Sequence, residues 1–312
     1  MNNTNRADHY TPPMIQGVSA SKVFLPQLVI QAQTIFEYLC EHFQHIAVDE
    51  WQQRFNDQLI LDSQGQALTL QSAYQANTHI YYYRFLAHEI AVPFTETILF
   101  ENDDLLVVDK PHFLTMSPTG QYVQETLLVR LKKTTGNPDL TPIHRLDRET
   151  AGVVLFSKRP ETRGLYQQMF ADKIVLKTYH AIAPFRTDLS FPQAVHLRME
   201  KGEPFYTMQV IAGEPNSHTE IDILEHNQGW AKYCLKPLTG KQHQLRVHLN
   251  YLNIPIKNDP FYPNVTHKPA ADFSQPLQLL AKEIRFRDPV LLQEMYFCSQ
   301  LDLTLQSQCN DI

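Results

Sequence analysis

A chain of 312 residues with 43% apolar side chains can form one large domain and a small one, each with its own core. No apolar run approaches the roughly eighteen residues of a membrane span, the first eight residues lack the apolar segment of a secretory signal, and the four cysteines form no CxxC pair. These features exclude a helical membrane protein, a disulfide framework and a cysteine zinc site, and predict a soluble, cytoplasmic, monomeric protein.

The net charge of −6 excludes a generally basic nucleic-acid coat, yet the charge is uneven. Residues 1–100 hold four Lys/Arg against nine Asp/Glu, whereas residues 130–186 hold eleven against five. A local basic face on an acidic protein suits selective phosphate binding.

In chain order, residues 1–17 are polar with Thr11-Pro12-Pro13 and read as a flexible arm. Ile35, Phe36, Leu39, Cys40 and Phe43 recur at helical spacing behind Thr34, a capping residue, and Asp49 and Glu50 open a second helix over 48–55. Residues 59–70 read as a small hairpin and residues 79–85 as a strand. The rings of Tyr81, Tyr82 and Tyr83 fit a strand that buries alternate residues better than a base-stacking surface. Two helices and short strands over residues 18–95 resemble a degenerate S4-like RNA-binding module, without the basic helical face expected of one.

Beyond Pro93 the pattern becomes denser. Residues 98–100 and 105–110 predict two strands, with Pro111 ending the second and Lys110 at its tip. A helix is expected over 126–133, a strand over 153–156 and a helix over 161–172. The strand over 177–183 sends Tyr179, Ala181 and Ala183 to one face, leaving room for a planar group beside the ring. Strands at 219–224 and 231–235 precede a helix from Gln242 that carries Arg246 in its second turn, placed to hold a carboxylate bidentately. His243 and His248 are five apart, the wrong spacing for a helical metal pair. Closing strands are expected at 277–280 and 283–286.

The candidate centre is His144-Arg145-Leu146-Asp147-Arg148-Glu149-Thr150-Ala151-Gly152, in a loop that runs into an apolar strand. Arg145 and Arg148 flank Asp147 and favour its charged form, which suits a nucleophile and equally a solvated charged turn. Loops fixed by a rigid strand commonly carry catalytic groups.

Five ordered blocks resemble the pseudouridine synthase family, in the branch with an H-R-L-D-x-x-T-x-G motif that modifies ribosomal and transfer RNA. They are Leu106 to Pro111, His144 to Gly152, Lys177 to Ala181, Thr239 to Leu249 and Asp259 to Tyr262, spanning residues 96–290. The resemblance implies an α+β fold for residues 96–312: a mixed, mostly antiparallel sheet with a central active-site cleft, beside a small N-terminal α/β module. It implies an RNA partner and chemistry without cofactor or metal. In that chemistry Asp147 promotes cleavage of the C1′–N1 bond of a flipped-out uridine, Arg246 pairs with Asp147, and Tyr179 stacks on the uracil. Arg145, Arg148, Lys110, Lys177, Lys241 and His243 are the implied RNA contacts. Ala151, Leu280 and Asp109 depart from the Ser, His and Asn common at those places. A catalytically silent RNA-binding protein of the same fold is the alternative; a glycosidase-like enzyme would need a second carboxylate that the sequence does not offer.

Overall fold

Thr34 starts the first helix by accepting a bond from the Glu37 amide while the Glu37 carboxylate accepts one from the Thr34 amide, which satisfies two otherwise orphan donors. The computed structural model describes residues 10–28, 32–84 and 89–305 of the chain. The described residues fall into two compact units, one drawn from within Met1–Glu89, Gly120–Gln124 and Val129–Pro138, the other from within Ile90–Thr119, Glu125–Leu128 and Asp139–Ile312.

In the first unit, β1 (Ser21–Leu25), α1 (Ile35–His42), α2 (Val48–Asn56), β2 (Ile60–Leu61) and β3 (Thr78–Tyr82) build a three-stranded antiparallel sheet of order β1-β3-β2 under the two helices. Leu25, Leu39, Trp51, Phe55, Ile60 and Ile80 form its core. Tyr81 and Tyr83 are buried and donate their hydroxyls to the carbonyls of Tyr10 and Pro13 at 2.9 and 2.5 Å, so residues from Tyr10 onward pack on this sheet. Tyr82 packs its ring against Trp51 at 5.3 Å. Of the arm expected over residues 1–17, residues 1–9 lie outside the described residues, as does Cys309.

The second unit is built on β4 (Thr97–Glu101), β5 (Leu105–Lys110), β6 (Thr141–Pro142), β7 (Ala151–Ser157), β8 (Leu176–Pro184), β9 (Gln193–Lys201), β10 (Met208–Ile211), β11 (Ser217–Asn227), β12 (Trp230–Pro237), β13 (Leu279–Arg287) and β14 (Glu294–Cys298). They make one 11-stranded sheet of order β10-β9-β11-β12-β8-β13-β7-β5-β4, with β14 on β13 and β6 on β7. Every pairing is antiparallel except β13 with β7, which run parallel where Leu280 faces Ala151 and Ala281 faces Gly152. The helices of the chain's later part are α3 (Leu127–Thr135), α4 (Pro160–Ala171) and α5 (Gln244–Tyr251). The α+β class and the mostly antiparallel sheet are as expected. No helix of the described residues is long and apolar enough to cross a membrane.

β5 and β7 are buried along their whole length, which explains their apolar runs without alternation. The closing strands form one element rather than two, because Ala281 to Glu283 is a bulge and not a turn. Lys282 leaves the sheet there and donates to the carbonyls of Ser299 and Leu301, both at 2.8 Å. The segment so held covers the three departures from the family pattern. Leu303 packs on Ala151 and Leu280, while Asp109 accepts bonds from the Ser299 hydroxyl at 2.7 Å and the Gln300 amide at 2.7 Å.

Candidate active site

The loop carrying Asp147 enters the sheet at the parallel junction of β7 and β13, and Gly152 makes that entry possible. Its φ is +115°, and a Cβ there would stand 2.2 Å from the Ala281 carbonyl oxygen. Thr150 closes the turn by donating its amide to the Asp147 carbonyl at 3.2 Å. From the other side α5 supplies Arg246, whose side chain is wholly buried. The residue before α5, His243, takes a left-handed φ of 54°, an unfavourable backbone for a residue with a β-carbon, held beside the site.

These elements enclose a pocket of about 180 Å³ lined by Asp147, Tyr179, Lys177, His243, Arg246 and Leu279 among others. Arg246 Nη1 donates to Asp147 Oδ2 at 3.2 Å. The carboxylate that Arg246 holds bidentately is Asp259, with Nε and Nη2 at 2.8 and 2.6 Å from its two oxygens. Asp259 is the more buried of the two carboxylates, at 1% exposure against 23% for Asp147. Phe261 packs its ring 4.8 Å from the same guanidinium. Burial opposes the charge on Arg246, but the bond and charge of Asp259, then Asp147, outweigh it and hold the group above its ordinary value.

Tyr179 lines the same pocket and packs on the Ala181 and Ala183 core. Burial, reinforced by the charge of Asp147, pushes its phenol above the ordinary value. The ring is therefore a neutral planar wall. His243 points Nε2 at Asp147 Oδ2 from 3.8 Å while its Nδ1 meets the Tyr262 hydroxyl at 2.9 Å. Burial lowers its pKa although Asp147 works the other way, so it stands beside the carboxylate as a neutral imidazole at neutral pH.

The structure divides the six expected RNA contacts. Arg145 is exposed at the mouth of the pocket, and Lys177 and Lys241 line it. Arg148 pairs with Glu149 at 3.1 Å and lies 5.7 Å from the Phe113 ring. His243 belongs to the inner wall. Lys110 is a correction: it has 0% exposure, and its ammonium donates to the carbonyls of Pro111, Leu114 and Arg148 at 3.0, 2.9 and 3.1 Å. The chain folds back over the strand tip after Pro111, so this lysine ties down the Asp147 loop from below and cannot meet RNA.

Asp259 is the residue that sequence reasoning left without a role. Asn258-Asp259-Pro260 reads as a turn, and it is one, since Asp259 Oδ1 also accepts the Phe261 amide at 2.8 Å. Only its place in the last of the five blocks marked it.

The family of RNA pseudouridylate synthases matches residues 104–251. The chain is 29% identical over 219 residues to an uncharacterized RNA pseudouridine synthase of Mycoplasma pneumoniae, a match covering 69% of this chain and 70% of that one. It is 30% identical over 222 residues to the tRNA pseudouridine synthase C of Vibrio cholerae, covering 66% of this chain and 91% of that one. Among solved structures, human RNA Pseudouridylate Synthase Domain Containing 1 superposes with a TM-score of 0.56 at 23% identity, over 71% of this chain and 94% of that one, a likeness of fold.

Proposed function

This chain belongs to the RNA pseudouridylate synthase family, and from that premise we propose that Asp147, Arg246 and Tyr179 isomerise uridine in transfer RNA. The enzyme is an RNA pseudouridine synthase. The observation that carries the assignment of roles is the single carboxylate of the pocket, held by one arm of a guanidinium that is itself anchored by Asp259.

A uridine leaves its stack to enter the pocket, as a base must to expose its glycosidic bond. Its ring lies against Tyr179, which positions it by stacking, while Arg246 holds the Asp147 carboxylate aimed at the ribose. Asp147 promotes breakage of C1′–N1; the freed uracil turns, C5 bonds to C1′, the C5 proton leaves to solvent and N1 takes one proton up from it. Atoms balance, since the product is an isomer of the substrate. A raised phenol does not accept that proton readily, so Tyr179 serves chiefly as a wall.

Transfer RNA is put first because the Vibrio cholerae relative is named for it. Ribosomal RNA is the other class. Chemical mapping of pseudouridines in total RNA from cells with and without the gene tests this. A site lost from a transfer RNA supports the reading, a site lost only from ribosomal RNA corrects the substrate, and no lost site refutes both.

A further inference from the structure

Beside the uridine pocket lies a second cavity of about 560 Å³ whose walls carry Arg145, Lys173, Lys177 and Lys241 and no carboxylate. It shares Tyr179, Lys177 and Arg145 with the first, so the two are continuous. Arg145, Lys173 and Lys241 have no carboxylate partner among the described residues, and Lys177 reaches only the Thr239 carbonyl, at 3.4 Å. Cations gathered without counter-ions repel one another and raise the energy of the folded state. Stability therefore does not explain the cluster, whereas a bound polyanion does.

The lining also carries two aromatic rings besides Tyr179. His144 stacks on Phe170 with ring centroids 4.6 Å apart at 20°, and both line the cavity. His144 Nε2 accepts the Leu155 amide at 3.1 Å, which fixes the ring in place. A planar aromatic face ringed by cations matches one chemistry in particular, a nucleotide with its base against the rings and its phosphates among the ammonium groups. The size agrees: about 180 Å³ admits a single small ring, while about 560 Å³ lies within the ~300–1,000 Å³ of ordinary ligand sites.

We propose that this cavity holds the nucleotide adjoining the target uridine, with its base on His144 and Phe170 and its phosphates between Arg145, Lys173 and Lys241. The proposal rests on the RNA reading given above and adds Lys173, His144 and Phe170 to it. The cavity thereby selects an unpaired neighbour, because a base still paired in a duplex cannot present its face to the rings.

The test compares wild type, Lys173→Glu, Lys241→Glu and, as a charge-matched control, Arg287→Glu at the end of β13 remote from Leu279. Each is assayed for retention of bulk transfer RNA on filters and for tritium release from the same RNA labelled at uridine C5, over a range of salt. Both groove variants should weaken retention and raise KM roughly tenfold, with the loss falling on KM rather than kcat. They should also shallow the salt dependence of binding by about 0.7 for each phosphate no longer neutralised. Arg287→Glu should do neither. Equal retention and equal salt slopes for Lys173→Glu, Lys241→Glu and Arg287→Glu overturn the groove. If wild type binds RNA but releases no tritium, the isomerase reading fails and the filter comparison still decides the groove by itself.

Discussion

Arg246 reaches Asp147 through one nitrogen, Nη1 to Oδ2 at 3.2 Å, while Asp259 occupies its Nε and Nη2. The guanidinium is thus anchored by one carboxylate and directs the other. Lysine keeps the charge but not the planar fork, so it cannot do both. Arg246→Lys should lower kcat by about 100-fold or more while changing KM less, measured by steady-state tritium release.

Asp259 compensates a fully buried charge. Asp259→Ala leaves that guanidinium with a single partner and should cost about 3–5 kcal/mol of stability by urea denaturation. Combining it with Arg246→Met should recover part of the loss, because the orphaned charge is then gone. A double variant less stable than Asp259→Ala alone would show that the pair does not work this way.

The phenol of Tyr179 is raised by burial first and by Asp147 second. A raised acid stays protonated to higher pH, so kcat/KM should show no phenol ionisation below about pH 10. Tyr179→Phe should keep KM within about threefold, whereas Tyr179→Ala should raise it by about tenfold or more through lost stacking. A rise in rate between about pH 8 and 9 that disappears in Tyr179→Phe would instead make the phenolate a base.

Lys110 supports the loop rather than the RNA. Burial pulls its pKa down to about 7 from 10.5, with Glu149 and Asp147 opposing, and below that pH three carbonyls match the three N–H groups of its ammonium. Between pH 7 and 10.5 the unfolded chain holds more of this proton than the folded one, so the Lys110 contribution to stability rises with pH across that window. Lys110→Met should abolish that rise in urea melts and cost about 3 kcal/mol or more near pH 7. The RNA affinity of its folded fraction should match wild type.

Gly152 cannot be replaced. With φ at +115° and the Ala281 carbonyl oxygen 2.2 Å from where an added Cβ would sit, Gly152→Ala should destabilise by about 3 kcal/mol or more, read as a lowered denaturation midpoint.

How far the sequence revealed this arrangement depended on whether the signal was local. Thr34 and Glu37 announce a helix start within four residues, and the apolar run of β7 announces a buried strand. Asp147, Tyr179 and Arg246 were legible only through five ordered blocks, since nothing local brings together residues so far apart. Val195, Leu197 and Met199 alternate inward along β9, a period of two that the sequence carries although no strand was expected there. Lys110 and Asp259 were illegible for one reason: charged residues beside prolines look like surface turns, and only the carbonyls and guanidinium that surround them show that they point inward. The bulge after Ala281 misled similarly, because Lys282 serves the segment over residues 299–301.

The proposed isomerisation rests above all on the Asp147 carboxylate. Bulk RNA labelled with tritium at uridine C5 should lose label to water with the wild type, and Asp147→Asn, isosteric but uncharged, should slow that release by at least about 1,000-fold while still binding the RNA. Release by Asp147→Asn at the wild-type rate would contradict that role.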